Sequence, residues 1–132
     1  MSVLFFESLN MEDIKRVIID DLSKTTKLML VSWVGTDVDK ANLLYTWALT
    51  EKDPLKWRSA WIFEEVCIQQ PNMLQYFVCR IAKIFPKLDH VPLRRMFGHL
   101  LAETELPEEF ESEVLEAALQ WMQDYKMPAA VR

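Results

Sequence analysis

A nine-residue segment occurs twice in the chain, 36 residues apart, and this spacing constrains the fold more than any other feature. The first copy begins at Asp53 (DPLKWRSAW) and the second at Asp89 (DHVPLRRMF), so that Arg58 aligns with Arg94. The apolar positions of the alignment are Trp57 with Leu93, Ala60 with Met96 and Trp61 with Phe97. Periods of about 20 to 50 residues indicate stacked supersecondary units, because each unit completes the core of its neighbour. The sequence therefore predicts a repeat protein.

Apolar residues recur at intervals of three and four along most of the chain, which predicts helices. The chain has only two glycines, whereas a sandwich or barrel usually needs more for its turns. We expect an all-α fold of about seven helices in antiparallel pairs, with Gly35 ending one of them. N-caps are predicted at Asn10, Asp37, Asp53 and Asp89, and Pro54 is expected to follow its cap at the first helical position.

The formal net charge is −5, with a concentration of acid between residues 103 and 116. DNA-binding and RNA-binding surfaces are usually basic, because neutralising phosphates supplies most of their affinity. The charge therefore disfavours a nucleic-acid partner. The acidic segment has two explanations, a solvated helix face with acid near its N-terminus and an acidic docking site, of which we favour the first.

The two copies resemble the HEAT repeat, in which an apolar first helix is followed by a turn with Asp and by a second helix that opens with Arg. The similarity covers roughly residues 37 to 132. It implies an armadillo-type α-α superhelix, a right-handed helical-repeat solenoid. It also implies a ladder of hydrogen bonds between neighbouring repeats, formed by Asp53, Arg58, Asp89 and Arg94.

By this resemblance residues 1–132 form a single domain of stacked units. We expect a capping helix pair (1–36), two repeats (37–70 and 71–104) and a partial third repeat (105–132). The last helix carries an apolar stripe, and solenoids need a polar terminal cap. We therefore expect a homodimer partner or a longer native chain to cover it. The C-terminal segment is also similar to short bacterial HEAT-like proteins of unknown function.

The concave face of such a solenoid is formed by the second helix of each pair and usually binds protein. Polar positions on the two motif helices are therefore candidate partner contacts. Arg95 has no role in the ladder and shares a helix face with the residue four positions on. The candidates are Lys56, Ser59, Arg95 and His99.

Trp57 and Trp61 lie one turn apart and have two interpretations. They could form an aromatic platform for a base or a cation. Their alignment with Leu93 and Phe97 instead favours packing between repeats, and we prefer that interpretation.

Catalytic chemistry has little support in the sequence. His90 and His99 are nine residues apart, which does not suit metal binding on one helix face. We find no glycine-rich phosphate loop, and we expect no catalytic residue, cofactor or metal. Cys67 and Cys79 are expected to be buried, reduced thiols of a cytoplasmic protein. No apolar run is long enough to predict a membrane span.

The sequence is compatible with two functions. The first is a non-catalytic protein-interaction or scaffold module that uses the concave face. The alternative is a nucleic-acid-directed protein related to HEAT-like DNA glycosylases.

Overall fold

The computed structural model describes residues 3–21 and 23–125. Within these ranges the chain forms eight α-helices and one 3-10 helix, and no strand. They are α1 (Val3–Glu7), α2 (Met11–Asp20), α3 (Lys24–Val34), α4 (Val38–Thr50), α5 (Leu55–Gln69), α6 (Pro71–Ile84), the 3-10 helix (Phe85–Lys87), α7 (Val91–Ala102) and α8 (Glu108–Tyr125). The predicted all-α class is confirmed. The structure adds α1 to the seven helices expected, because five residues are too few to show periodicity in the sequence.

Local signals place the ends of the early helices correctly. The Asn10 side chain accepts a hydrogen bond from the Asp13 amide, and the Asp13 side chain accepts one from the Asn10 amide. The Asp37 side chain accepts hydrogen bonds from the Asp39 and Lys40 amides at the start of α4, and Gly35 follows α3 with a φ of 53°. A positive φ favours glycine, because a Cβ atom would crowd the backbone there.

The predicted caps at the two motif copies are each displaced by one residue. The N-cap of α5 is Pro54, and Asp53 contributes by accepting a hydrogen bond from the Trp57 amide at 3.2 Å. The N-cap of α7 is His90, whose Nδ1 accepts from the Leu93 amide at 3.3 Å. A neutral imidazole nitrogen is an acceptor, so it can satisfy a first-turn amide as a carboxylate would.

The described helices divide into two compact units, with the division between Met73 and Leu74. In the first unit α4 packs along α5, α3 and α2 also contact α5, and α1 contacts α3. Its core is mainly apolar, and Thr26, Lys27 and Ser59 are polar residues buried with it. The largest fully buried side chains of this unit are Phe6, Ile14, Ile18, Leu30, Leu44, Ile62 and Phe63.

Lysines lie over tryptophan rings at three places between helices of the first unit. The distances from Nζ to the ring centroid are 5.5 Å for Lys15 on Trp47, 3.8 Å for Lys27 on Trp61 and 4.9 Å for Lys40 on Trp33. Each ammonium also pairs with a carboxylate, on Glu51, Glu65 and Glu7 respectively. A cation is attracted to an aromatic face, and the carboxylate compensates for its partial loss of water.

The second unit is organised around Phe85 in the 3-10 helix, which contacts both α7 and α8. The Phe85 ring meets the Trp121 ring of α8 edge to face, with centroids 4.8 Å apart. A Cβ atom on Gly98 of α7 would lie 3.4 Å from the Phe85 ring, so α7 passes within van der Waals distance of Phe85 at this position. The largest fully buried side chains of this unit are Phe77, Ile81, Leu93, Phe97 and Leu100.

Candidate functional site

Arg58 joins α5 to the C-terminal end of α2. Its guanidinium donates to the main-chain oxygens of Ile18 at 3.2 Å and Ile19 at 2.5 Å. The last carbonyls of a helix have no partner within the helix, so a cation there satisfies them and complements the helix dipole. Arg58 therefore has a structural role between two helices whose contacting residues are about 40 positions apart.

Arg94 makes a different set of contacts in the second unit. Its Nε donates to the Leu88 carbonyl at 2.8 Å, which lies only six residues earlier. The guanidinium carbon also lies 4.4 Å from the centroid of Trp121. Arg94 therefore links α7 to its own preceding turn and to α8.

The two aspartates of the motif lie at the beginning of their helices. Asp53 accepts from the Trp57 amide, and Asp89 is an exposed residue before α7. The ladder of hydrogen bonds that the resemblance implies for Asp53, Arg58, Asp89 and Arg94 stays a prediction.

Two of the four predicted partner contacts are wholly or partly buried. Ser59 is completely buried, so its expected role at an exposed polar surface is wrong. Lys56 is half-buried, and its Nζ donates to the carbonyls of Ala48 at 2.9 Å and Leu49 at 3.2 Å. Lys56 therefore serves the C-terminal end of α4.

Arg95 and His99 remain accessible to a partner. Both are exposed on α7, four residues apart and thus on one face of the helix. His99 Nε2 lies 3.4 Å from a carboxylate oxygen of Glu103, another four residues on. These three side chains form a mixed polar surface on α7.

Trp57 and Trp61 are half-buried and pack against each other, with centroids 6.1 Å apart. Cations already occupy positions over both rings, since Lys27 lies over Trp61 and Arg58 lies 5.6 Å from the centroid of Trp57. The pair therefore packs within the first unit, although it is less buried than the alignment implied.

An exposed apolar surface lies on α8. Leu115, Leu119 and Met122 retain 56%, 49% and 52% of their full exposure, although large apolar side chains are usually buried. Their spacings of four and three residues place them on one face of the helix. We call these three residues the α8 stripe.

Carboxylates continue the α8 stripe toward the start of the helix. Glu111 precedes Leu115 by four residues and Glu108 precedes it by seven, so both lie on the same face. A shallow surface groove between side chains of α8 itself is lined by Ser112, Leu115, Glu116, Leu119, Gln120 and Gln123. The sequence from 108 to 125 contains no Lys or Arg, so the face has one sign of charge.

The α8 stripe was present in the sequence as part of a broad apolar pattern. The structure divides this pattern, because Val114 and Ala117 are buried while the stripe faces outward. The apolar positions of α8 cover more than half of the helix circumference. That width was the available signal for a second apolar face.

The described residues hold no group of three or more His, Cys, Asp or Glu side chains that could bind a metal ion. Between residues 3 and 125, leaving aside residue 22, no helix is long and apolar enough to cross a membrane.

Both cysteines are free thiols, and they differ in exposure. Cys79 is exposed on α6, so its expected burial is wrong. Cys67 is buried as expected, and burial raises the pKa of its thiol to about 12, with a smaller contribution from Glu64.

Comparison with known protein families agrees with the helical architecture. The family described as the HEAT repeat domain matches residues 14–132, which is most of the chain. Neither the curated proteins nor the solved structures gave a match.

Proposed function

Because the chain belongs to the HEAT repeat family, we propose that it is a non-catalytic module that binds another protein. Members of such helical-repeat families stack helix pairs into extended surfaces, and those surfaces serve as binding sites. The resemblance found in the sequence and the family match support the same class of function.

The observation that carries this proposal is the exposure of the α8 stripe. Single exposed apolar residues are ordinary, whereas a contiguous exposed apolar group is typical of a binding site. The polar surface of Arg95 and His99 on α7 is a second candidate contact, because both side chains are exposed. Ser59 fits this role poorly because it is buried, and Lys56 stays a weaker candidate because it is half-buried and donates to α4.

We also propose a reducing compartment, the cytoplasm, as the place of action. Cys67 and Cys79 are both free, and Cys79 is accessible to oxidants. Free exposed thiols are typical of compartments where thiol reductants are maintained.

The proposal is tested by affinity capture from native lysate with three baits. The baits are the wild-type chain, the double variant Leu115→Glu with Leu119→Glu, and the control Leu28→Glu. Leu28 is 42% exposed on α3, so it matches the stripe in residue type and exposure. We expect quantitative mass spectrometry to find proteins retained by the wild type and the control but lost from the double variant.

Identical retention on all three baits would contradict the use of the α8 stripe. Nucleic acid is tested separately by a gel-shift assay with duplex DNA at two salt concentrations. A shift that weakens steeply with salt would favour the alternative function, because phosphate contacts release counterions.

A further inference from the structure

The charge around the α8 stripe restricts what can cover it. Glu108, Glu109, Glu111, Glu113 and Glu116 are all exposed, and the helix supplies no cation of its own. Glu108, Glu109 and Glu111 lie in the first turn, where they also stabilise the helix through its dipole. Glu116 lies in the third turn and borders the groove, so the helix dipole does not account for it.

The stripe has the geometry of one side of a helix–helix contact. Its apolar anchors are Leu115, Leu119 and Met122, spaced four and three residues apart. Helix packing places such ridges into the groove of a second helix. An amphipathic helix with anchors at matching intervals buries this kind of surface, and side chains flanking its anchors then face the carboxylates of α8.

A second copy of the chain fits this surface poorly. Parallel packing of α8 against α8 of another copy would bring two carboxylate-bearing ends together. Antiparallel packing would leave Glu108 and Glu111 facing a helix that carries no Lys or Arg between residues 108 and 125. Like charges placed together across an interface are destabilising. A partner helix with Lys or Arg beside its anchors meets the opposite charge instead.

We infer that the α8 stripe binds a basic amphipathic α-helix of a partner protein, with Leu115, Leu119 and Met122 as apolar contacts and Glu108 and Glu111 facing its cations. This inference rests on the proposed function, because it names the chemistry of the partner. Electrostatic attraction sets the choice of partner and the rate of association, and apolar burial holds the complex.

The experiment uses two fluorescein-labelled helical peptides and the full chain. Both peptides carry leucines at matching intervals of four and three, and they differ only in flanking positions that hold Lys in one and Glu in the other. Fluorescence anisotropy is measured at low and high salt. We expect the basic peptide to bind at least about tenfold more tightly at low salt, with the advantage falling as salt screens the charges.

Variants assign the binding to the stripe. Leu115→Ala with Leu119→Ala is expected to weaken binding by about tenfold or more, because each leucine loses apolar contact. The control Leu28→Ala leaves it unchanged. This pair separates the stripe from other exposed leucines.

Two double substitutions on α8 test its carboxylates, one on the stripe face and one elsewhere on the helix as the control. Glu108→Gln with Glu111→Gln removes carboxylates on the stripe face. Glu109→Gln with Glu113→Gln removes the same number of charges elsewhere on the helix circumference. We expect the first pair to weaken binding about threefold to tenfold at low salt and the second to change it less than about twofold.

Equal binding of the two peptides, or no binding of either, would overturn the inference about charge. A dimer by light scattering that Leu115→Ala with Leu119→Ala converts to monomer would also overturn it, since a second copy would then occupy the stripe. Stripe-dependent retention of a protein from lysate would, in either case, leave the proposed function standing.

Discussion

Helices α5 and α7 carry the two copies of the repeated segment, yet they bury different faces. In the alignment Trp61 corresponds to Phe97, but Trp61 is half-buried and Phe97 is fully buried. Ala60 is buried, whereas its counterpart Met96 is half-buried. Sequence similarity therefore located the helices correctly and oriented one of them incorrectly.

The buried positions of α5 and α7 agree when the alignment is shifted by two residues. At an offset of 38 the buried positions coincide: Leu55 with Leu93, Ser59 with Phe97, Ile62 with Leu100 and Phe63 with Leu101. Two residues correspond to about 200° of rotation around a helix, so the aligned motif faces the core in one helix and nearly away from it in the other. In α5 cations from Lys27 and Arg58 hold the tryptophans at the edge of the core. In α7 leucine and phenylalanine enter the core.

Exchanging one aligned pair of residues should give the largest difference in stability between α5 and α7. Ser59→Arg places a cation at a fully buried site, and Arg95→Ser removes an exposed one. We expect Ser59→Arg to lower the free energy of unfolding by at least about 3 kcal/mol, or to prevent folding, because an unpaired buried charge is costly. We expect Arg95→Ser to change it by less than about 0.5 kcal/mol. Urea denaturation followed by circular dichroism measures both, and similar effects would show that α5 and α7 bury the same face.

The two motif arginines provide a second test. Arg58→Ala removes two charge-assisted hydrogen bonds to the end of α2, and we expect a loss of about 2 to 3 kcal/mol. Arg94→Ala removes one hydrogen bond and the contact with Trp121, and we expect a loss of about 1 to 2 kcal/mol. Only Arg94→Ala should alter the environment of Trp121. Tryptophan fluorescence of each variant, and again after Trp121→Phe, separates the two arginines; identical spectra would contradict their different roles.

Features that depend on residues close together in the chain could be predicted, whereas features that depend on distant residues could not. The caps at Asn10 and Asp37 and the turn at Gly35 depend on neighbours within a few residues, so local pattern predicted them. The inward face of α7 depends on Phe85 and Trp121, which come from other elements. Such tertiary contacts have no signature in a pairwise alignment of two short segments.

The candidate binding surfaces also depend partly on local pattern and partly on tertiary contacts. Arg95 and His99 were predicted to share a helix face from their spacing of four, and both are exposed. Ser59 was chosen only as a polar position on a motif helix, and it is buried. The α8 stripe was seen only as apolar periodicity. Its division into a buried and an exposed side became visible once Val114 and Ala117 were located in the structure.

The ion pair between Lys27 and Glu65 should make a smaller contribution to the stability of the first unit. A double-mutant cycle with Lys27→Met and Glu65→Gln should give a coupling of about 0.5 to 1 kcal/mol at pH 7, because the Lys27 side chain is only 10% exposed. The equivalent cycle on Lys15 and Glu51 is the control. That pair is more exposed, so we expect a smaller coupling.

Acid should reduce the contribution of ionised Glu65 to the stability of the protein. Hydrogen bonds from Gln69 and Lys27 and the charge of Lys27 outweigh burial and hold the pKa of Glu65 below its ordinary value of 4.5. A carboxylate with a lowered folded-state pKa stabilises the protein above the unfolded pKa and loses that effect as pH falls through the folded value. Glu65→Gln should therefore flatten the acid limb of the stability curve. An unchanged acid limb would show that Glu65 is not held ionised by these contacts.

The two cysteines differ in burial, so their reaction with a thiol reagent should differ in the native protein. The raised pKa of Cys67 means that its thiolate is about a thousandfold scarcer near pH 8 than that of an ordinary thiol, and its burial also blocks reagents. Cys79 is exposed on α6. We expect a thiol reagent at pH 8 to modify one cysteine in the native chain and both in denaturant, with peptide mapping placing the native modification on Cys79.

Single substitutions assign this reactivity. Cys79→Ser should abolish the native reaction, because it removes the accessible thiol, and Cys67→Ser should preserve it. Rapid native labelling of Cys67 would mean that α5 opens readily. The buried face on which the difference between α5 and α7 depends would then not be held stably in solution.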